Sequence, residues 1–536
     1  MLTAIDSKGR LNVETATPTL VGKKYNFKNV PLDDPRVWYL YHRGDTKSVF
    51  QVESDLCKQW CKKIKPSNID ELSALISLVR PGGLESGFAE KYANIKSGKE
   101  KPSYLHPALE PALSSTYSCL VFQEQILRIC IDIAGFDQVQ ADNARRAVGK
   151  KLPEEMVKVK KEFLEGAKKK GVVSEEIAEE IFSWIQKSVR YLFNSAHSYS
   201  YGYISYFTAW QKCYYPTEFF TAALTFSSEK VDPKEEIYEL VQDARLHNIK
   251  VFPPSLQYKN IDFEILRDRE ILFGLSHIRG VGRSAVEVIK GLKLDTFIDF
   301  VKNLKKIHRN VAESLIKSGA CDCYGYSRSK MLRVVHVVLG RTDGSSEHIP
   351  PEVRKLTPNE FNQFVKELDG GIEHALQSVI TTGKCIAKRV PTIEAKINFV
   401  NQAVTDTNTQ KAIWEKLYLG LNLTCSAADD YKKQAEGIKT CKQVHQLENK
   451  QKFIIHVVLD KVLEKTTSEK SKNPGQKFAF LDVSDNSAAL KLACWPKQYE
   501  KFKDNLIEGT VLELYGYKDS WNGREQVTIN DVKLVG

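Results

Sequence analysis

The sequence predicts a multidomain α+β protein that is mostly helical over its first two thirds and ends in a small β-barrel. In the helical part, apolar residues recur at three- and four-residue steps, as at Leu72, Leu75, Ile76 and Val79, which is typical of one buried helix face. Near the end of the chain the pattern changes to short β-rich runs divided by polar turns. A length of 536 residues allows several domains with separate cores.

The composition favours a polyanionic partner. Lysine and arginine outnumber aspartate and glutamate by 78 to 67, which gives a formal net charge of +11. That excess suits nucleic acid without establishing it. No segment approaches the ~20 consecutive apolar residues of a membrane span, and residues 1–6 lack the layout of a signal peptide. We therefore expect a cytoplasmic protein.

The eleven cysteines are scattered along the chain. The closest sets, Cys57 with Cys61 and Cys321 with Cys323, have no second pair at the spacing of zinc ligands. We therefore expect reduced, mostly buried thiols and no metal site within this chain.

Taken in order, residues 1–29 form a lead-in with no sustained period, and a helix over 69–79 is stopped by Arg80-Pro81-Gly82. A further helix is predicted to begin after Ser174, a suitable N-cap that precedes two glutamates. Its apolar residues recur every fourth position and should face a core: Ile177, Ile181, Ile185 and Val189.

The stretch 122–215 carries three motifs in order. Residues 122–125 read Phe-Gln-Glu-Gln, and residues 143–151 contain four cations within seven positions: Arg145, Arg146, Lys150 and Lys151. An arginine pair beside a Gly-Lys-Lys turn can grip a polyphosphate through forked and point-charge contacts together. The motif therefore predicts a triphosphate grip, although a basic cluster by itself is more often a solvated helix face.

The third motif begins at Asn194 and places His197 and Tyr201 four residues apart. In a helix these two rings share one face and could meet one nucleotide. A lone His/Tyr pair is more often core or plain surface. Three motifs in a fixed order over some eighty residues are much harder to obtain by chance.

The three motifs resemble the fingers of the bacterial replicative DNA polymerase III alpha subunit, a family C polymerase. The resemblance covers about 30–335 and, less closely, 410–536, and it includes residues 50–54 and Arg80-Pro81-Gly82. It implies that Arg145 and Arg146 bind the incoming triphosphate with support from Lys150 and Lys151. Other expected dNTP contacts are Tyr201 under the nascent base pair and, around it, Asn194, His197 and Arg80. Ser195 stands where the family has lysine, so one cationic contact is absent.

A helix-hairpin-helix is predicted around Gly280 and Gly282, because an apolar-x-Gly-apolar-Gly turn before a helix lets backbone amides approach a DNA phosphate. Arg279 and Arg283 flank this turn as candidate DNA contacts. Residues 311–320 resemble the second hairpin of the family's tandem module.

Residues 341–410 are the least informative and read as a connector. The family places a short peptide for a sliding clamp after its hairpins. Here only a poor candidate is present, residues 443–447, which read Gln-Val-His-Gln-Leu and lack a paired hydrophobic plug. A sliding clamp therefore stays an open partner.

Five β-rich runs after residue 450, with a helix between the third and the fourth, predict an OB-fold. Its expected single-strand DNA face carries four aromatic candidates: Phe478, Phe480, Trp495 and Trp521. Aromatics that alternate in a small barrel are core about as often as they are binding platforms. Trp521 is favoured as a platform because it lies in a predicted turn.

One part of the chemistry is missing. A nucleotidyl transferase needs carboxylates for two metal ions, and the 536 residues contain no Asp-x-Asp pair of the kind that the family uses. We therefore expect no catalytic carboxylate here, two Mg²⁺ ions held mainly by a separate subunit with palm and thumb, and little activity by this chain alone. Met1, close to where the resemblance begins, suggests a natural split gene of bacterial or phage origin, although an engineered fragment would look identical.

The expected organisation is a lead-in (1–29), polymerase fingers (30–225), a connector with tandem helix-hairpin-helix domain (226–340), a linker or helical connector (341–440) and an OB-fold (441–536). The expected function is to bind dNTP and template-primer for DNA-templated DNA synthesis. The alternative is a noncatalytic DNA-binding or regulatory protein derived from a polymerase.

Overall fold

The computed structural model of the chain describes residues 27–150, 153–188, 191–340, 355–431, 437–467, 469, 473–521 and 524–535. The chain divides into two compact units, with the boundary between Phe219 and Phe220. No described helix is both long enough and apolar enough to cross a membrane.

The first unit is helical. Its α-helices, in chain order, are α1 Pro35–Arg43, α2 Asp55–Ile64, α3 Ile69–Leu78, α4 Pro81–Glu85, α5 Phe88–Lys96, α6 Glu110–Leu113, α7 Gln123–Ala134, α8 Gln138–Lys150, α9 Pro153–Lys170, α10 Glu175–Ser188 and α11 Ser195–Tyr214, followed by α12 Pro216–Thr225. Helices α1, α3 and α11 share one apolar core. Helices α7 to α10 share another, which contains the buried part of the predicted stripe, Ile181 and Ile185.

Side-chain caps decide where several of these helices begin. The Asn68 side chain accepts a hydrogen bond from the Glu71 amide at 2.9 Å, and Asn194 does the same for His197 at the start of α11. Ser174 accepts from the Ile177 amide, as the sequence predicts. These bonds satisfy amides that have no partner within their own helix.

The second unit joins short helices and two sheets. Its elements are α13 Pro233–Leu246, β1 Lys250–Phe252, β2 Glu264–Arg267, β3 Glu270–Leu272, α14 Arg283–Lys290, α15 Phe297–Lys302, α16 Leu304–Ile307, α17 Arg309–Lys317, α18 Arg328–Leu339, α19 Pro358–Lys366, α20 Ile372–Thr381, α21 Val390–Asn401, α22 Asn408–Leu419, α23 Cys441–His445, β4 Lys452–Thr466, β5 Lys477–Ser484, β6 Ala489–Cys494, α24 Pro496–Phe502, β7 Val511–Trp521 and β8 Arg524–Leu534. The first sheet has the order β1-β3-β2.

The last five strands close into a barrel in the order β4-β5-β6-β8-β7. Strand β6 pairs parallel to β8, while the other neighbours are antiparallel. Alternate residues such as Ile455, Leu481 and Leu514 fill the barrel interior, as period-two patterning requires. The five predicted strands and the helix between the third and the fourth are confirmed, and so is the multidomain α+β class.

The region that the sequence left as a connector is more ordered than its composition suggests. Helices α19, α20 and α21 pack on one another and bury apolar side chains such as Phe364, Leu376 and Ile393. A forked ion pair joins the half-buried Arg389 to Glu360, which is only 1% exposed. Apolar residues at helical spacing, as at Phe361, Phe364, Val365 and Leu368, are present in this segment, so its helices could have been predicted from the sequence.

All eleven cysteines are free thiols, seven of them buried and four half-buried. Burial raises the pKa of Cys119, Cys130 and Cys494 to about 12. Such thiols stay protonated and behave as small apolar side chains.

Candidate nucleotide site and nucleic-acid surfaces

The arginine pair of helix α8, which we call the arginine grip (Arg145 and Arg146), is held by one carboxylate. Arg145 donates to Asp142 Oδ1 from Nε at 3.0 Å and from Nη2 at 2.8 Å. Arg146 Nε lies 2.7 Å from Asp142 Oδ2. The hydrogen bond from Arg145 is the main cause that lowers the pKa of Asp142. Arg145 is half-buried and Arg146 is 62% exposed, so Arg145 is the more constrained of the two.

Four rings form a row that we call the ring ladder: Phe50, Tyr201, His197 and Phe193. The ring centroids lie 5.1 Å apart for Phe50 and Tyr201, 4.0 Å for Tyr201 and His197, and 5.4 Å for His197 and Phe193. His197 and Tyr201 do share one face of α11, as their spacing predicts. His197 is exposed and the other three rings are half-buried, and an aromatic row that is partly accessible to solvent can support a base by stacking.

Arg80 caps the far end of the ring ladder. Its guanidinium carbon lies 4.1 Å from the centroid of the Phe193 ring, and its Nε and Nη2 donate to the carbonyls of Ser77 and Tyr191. Burial lowers the pKa of Arg80. Arg80 therefore lies beside the motif residues, and its guanidinium donates to two backbone carbonyls of the protein.

Gln123 links the arginine grip to the ring ladder. Its side-chain oxygen accepts a hydrogen bond from Arg145 Nη1 at 3.0 Å. Its backbone amide donates to the Phe193 carbonyl at 2.9 Å, and the Phe193 amide donates to Val121 at 3.0 Å. All three motifs of the sequence, although up to about 80 residues apart, are thus joined by one series of direct contacts.

Two predicted members of this site fall outside the described part. Lys151 lies outside the described residues, and Lys150 closes α8 with a side chain that is likewise not described. Asn194, the remaining member, accepts from the His197 amide and so orders the start of α11. The Ser195 amide donates a hydrogen bond to the Glu124 carboxylate, which is a second contact between the first and the third motif.

Sequence reasoning missed three contributors, Phe50, Gln123 and Asp142, as parts of this site. Asp142 could have been found, because it stands three and four residues before the two arginines, where helical neighbours meet. Phe50 and Gln123 lie within segments that the sequence singled out, but only tertiary packing brings them to Tyr201 and Arg145.

The acidic side chains near the arginine grip do not suit a pair of metal ions. Asp142 is occupied by both arginines, and Glu124 accepts from Ser195. Among the described residues of the first unit, no three carboxylate, imidazole or thiolate ligands converge closely enough to hold one ion. The donor set that the structure describes in this unit therefore does not fit a two-metal centre, which needs several converging carboxylates.

In the second unit the predicted glycine turn has the expected backbone. Gly280 adopts φ +85°, and Gly282 stands at the N-cap of α14. A Cβ at Gly280 would lie 2.9 Å from Ser314 Oγ of α17, so the two predicted hairpins pack closely here. Gly280, Gly282, Arg279 and Arg283 are all exposed, so their backbone and side chains are accessible to a DNA strand.

Arg283 has an intramolecular partner that the sequence did not indicate. Its Nη1 and Nη2 donate to the two Asp262 oxygens at 2.6 and 2.9 Å, and the His277 ring lies 3.5 Å from the same carboxylate. Although burial raises the pKa of Asp262, the hydrogen bonds from His277 and Arg283 outweigh it and lower the pKa. The charge of the Arg283 guanidinium is therefore neutralised by Asp262. The Arg279 side chain, by contrast, has no partner among the described residues.

Three of the barrel aromatics lie outside its core. Phe478 and Phe480 point away from the interior that Ala479 and Leu481 fill. The rings of Phe478 and Trp495 stack at 5.5 Å, Phe480 packs edge-on against Phe478, and Lys465 lies over the Phe480 ring. Trp495 is 36% exposed. These residues form a surface that we call the barrel aromatic patch. Trp521 is the last residue of strand β7 and pairs with Arg524, so the prediction that it lies in a turn is wrong; its side chain lies outside the described part.

The weak clamp-peptide candidate is part of the barrel. Val444 is fully buried in its core, and Leu447 packs against that core. The Gln443 side chain caps the start of its own short helix. Residues 443–447 therefore do not offer an extended peptide to a partner, and this candidate is wrong.

Comparison with known proteins gives three family matches. The model of the bacterial DNA polymerase III alpha subunit finger domain matches residues 1–171. The helix-hairpin-helix motif matches 248–331, and the OB-fold nucleic acid binding domain matches 461–535.

Curated relatives agree with these matches. DNA polymerase III subunit alpha of Aquifex aeolicus is 32% identical over 524 residues, which is 96% of this chain and 39% of the relative. The same subunit of Haemophilus influenzae is 30% identical over 94% of this chain and 42% of its own length, and that of Pseudomonas aeruginosa is 37% identical over 56% and 26%. The chain spans about two fifths of the length of the longest-matching relatives. Over nearly its whole length the chain is therefore similar to DNA polymerase III subunit alpha, and its finger, helix-hairpin-helix and OB-fold matches fit a C-terminal portion of that subunit.

Proposed function

We propose that this chain is the nucleotide- and DNA-holding part of a replicative DNA polymerase. The observation that carries the proposal is the contact series from the arginine grip through Gln123 to the ring ladder. A cationic pair beside a row of rings matches the two ends of a dNTP, an anionic triphosphate and a flat base. In this proposal Arg145 and Arg146 bind the phosphates, and Tyr201 and His197 lie against the nascent base pair.

The palm carboxylates and their two Mg²⁺ ions come, in this proposal, from a separate subunit that completes the site. The support is chemical: the 536 residues lack an Asp-x-Asp pair, and the first unit lacks a converging acidic set among its described residues. Positioning of dNTP and primer by this chain would then lower the entropic cost of reaction at the partner's ions.

Two surfaces of the second unit suit DNA. The Gly280–Gly282 turn exposes backbone amides at the start of α14, where a phosphate can be bound. The barrel aromatic patch combines stacking rings with Lys465, which suits single strands. We propose that the hairpins bind the duplex backbone and that the barrel binds the single-stranded template.

A direct binding experiment tests the nucleotide part. The whole chain is titrated with a dNTP and Mg²⁺, and Arg145→Ala should weaken binding by about 1.5–3 kcal/mol, which is the contribution of a charged hydrogen-bonding group. Arg128→Ala is the matched control, because Arg128 is an exposed arginine of α7 whose ion pair within the described part of the chain is with Asp132. Equal affinity in the wild type and Arg145→Ala would favour the rival function, a noncatalytic DNA-binding protein.

Primer extension tests the division of labour. The chain alone, and the chain with a palm-bearing subunit, are compared with Mg²⁺ present. Extension should require both polypeptides. Robust extension by the chain alone would contradict the separate-palm proposal while leaving the polymerase assignment intact.

A further inference from the structure

We propose that Gln123 is a positioning residue that sets the separation between the arginine grip and the ring ladder, an inference that rests on the proposed nucleotide-binding function. The arginine grip belongs to α8, whereas His197 and Tyr201 of the ring ladder belong to α11. Gln123, the first residue of α7, contacts both. A dNTP has a fixed span between its triphosphate and its base, so the protein must hold the two binding features at a matching distance.

The two ends of Gln123 are fixed in different ways. Its backbone amide donates to the Phe193 carbonyl at 2.9 Å, and the Phe193 amide donates to the Val121 carbonyl. Its side-chain oxygen accepts from Arg145 Nη1 at 3.0 Å. The backbone pairing survives any side-chain replacement, so the connection to Arg145 can be removed without disturbing the connection to the ring ladder.

Arg145 is oriented by Gln123 together with Asp142. Asp142 accepts from Nε and from Nη2, and Gln123 accepts from Nη1, so each of the three guanidinium nitrogens has a protein acceptor. Two N–H groups remain for a ligand, because the guanidinium carries five. Asp142 lies on the same helix as Arg145 and fixes the side chain only relative to α8. Gln123 is the contact that fixes it relative to the rest of the site.

Different ligands should therefore respond differently to loss of this bond. Tripolyphosphate can contact only the arginine grip, whereas a dNTP must reach the grip and the ring ladder together. A grip that is free to shift along α8 still binds tripolyphosphate, but it no longer matches the span of a dNTP. The informative quantity is the ratio of the two affinities, not either affinity by itself.

The experiment uses the whole chain with Mg²⁺ and measures the affinities for a dNTP and for tripolyphosphate. Gln123→Met keeps the side-chain volume but removes the acceptor, and it should reduce the ratio at least fivefold. Gln123→Glu keeps an acceptor for Arg145. Its extra charge lowers both affinities together, so the ratio should stay within about twofold of the wild type. Gln138→Met, an exposed glutamine at the start of α8, is the matched control and should leave the ratio unchanged.

The outcomes separate the positioning role from the proposed function. If the wild type binds both ligands and Gln123→Met weakens both by the same factor, Gln123 merely supports Arg145 and the positioning role is overturned. If the wild type binds neither ligand, the proposed nucleotide site is overturned and the positioning role with it. A fall in the ratio for Gln123→Met together with its retention in Gln123→Glu supports the proposal.

Discussion

At the scale of single residues, Glu71 shows how the first unit organises a buried charge. Its carboxylate accepts from the Ser67 amide at 2.7 Å, from Ser67 Oγ at 2.8 Å and from the Tyr117 hydroxyl at 2.9 Å, and it pairs with Lys96. Only 6% of the residue is exposed. Burial raises the pKa of Glu71, but the hydrogen bonds from Lys96 and Ser67 outweigh it, so the pKa is lowered.

Replacement of this carboxylate should be costly. Glu71→Gln leaves Lys96 without its partner in a largely buried place, and we expect a loss of about 2–4 kcal/mol in the free energy of unfolding. Chemical denaturation followed by tryptophan fluorescence measures it. Glu90→Gln is the control, because Glu90 forms an exposed ion pair with Lys63, and its cost should stay below about 1 kcal/mol.

The same carboxylate predicts a pH dependence with a definite sign. Because the folded pKa lies below the ordinary value of 4.5, the folded state is favoured when Glu71 is charged. Its contribution is complete above pH 4.5 and is lost as the pH falls through the lowered pKa. The free energy of unfolding should therefore fall less steeply below pH 4.5 in Glu71→Gln than in the wild type. Parallel curves for the two proteins would contradict this assignment.

At the scale of elements, one helix crossing depends on a glycine. Gly166 lies within α9, where a Cβ would stand only 2.2 Å from the carbonyl oxygen of Ala134 at the end of α7. That oxygen is backbone and cannot move away cheaply. Glycine is normally unfavourable inside a helix, so its presence here reflects the close approach of α9 to α7.

Gly166→Ala should therefore destabilise the first unit by about 1–3 kcal/mol, as overpacking does. Gly202→Ala is the matched comparison, because a Cβ there meets its nearest atoms in Ile69 and Ser73 at 3.8 Å, which is ordinary contact. That second change should be neutral or stabilising by up to about 1 kcal/mol. Thermal denaturation of both variants decides the matter, and equal effects would contradict the crossing argument.

The barrel aromatic patch makes a prediction for binding. Trp495→Ala removes a ring that stacks on Phe478, and we expect single-strand DNA affinity to fall by about 1–3 kcal/mol, the usual value of one base stack. Binding should also weaken steeply with salt. Tyr258→Ala, which removes an exposed aromatic of the same unit, should leave the affinity unchanged.

A point variant is preferable to removal of residues 441–536. Val458 and Val511 of the barrel pack against Ala412, Cys425 and Ala428 outside it. Deletion would expose these apolar side chains and could weaken DNA binding for reasons unrelated to the aromatic patch.

At the scale of the whole molecule, a buried ion network joins the hairpin helices of the second unit to the segment before the barrel. Arg328, 1% exposed, donates to Asp322 and to the fully buried Glu415 of α22. Glu415 also accepts from the amides of Leu423 and Thr424. Burial by itself would lower the pKa of Arg328, but its hydrogen bonds to Asp322 and the charge of Glu415 raise it.

Glu415→Ala should cost about 3–5 kcal/mol, because it leaves a guanidinium buried with one partner fewer. Urea denaturation of the whole chain measures this cost. Asp369→Ala removes an exposed ion pair with Lys302 in the same unit, and its cost should remain below about 1 kcal/mol. A cost for Glu415→Ala as small as that of the control would show that the network is not a structural connection.

The sequence could predict those features that depend on neighbours along the chain. Helix periods, the N-cap at Ser174, the turn at Gly280 and the five barrel strands all follow from local patterns. The helical periods of α19 and α20 are also present in the sequence, but the packing of these helices into the module α19–α21 depends on contacts between separate segments. Nor could the sequence decide whether Phe478 faced the core or solvent, since both faces of a barrel strand can hold a ring.

The sequence by itself determined the resemblance to the DNA polymerase III alpha subunit and the order of the motifs, because motif identity and spacing are properties of the chain. Only the tertiary structure decided which residues meet. In that structure Gln123 contacts both Arg145 and Phe193, Arg283 forms an ion pair with Asp262, and Val444 is buried in the barrel. The reason is that contacts between distant segments depend on packing and on pairing of buried polar groups, which no local pattern specifies.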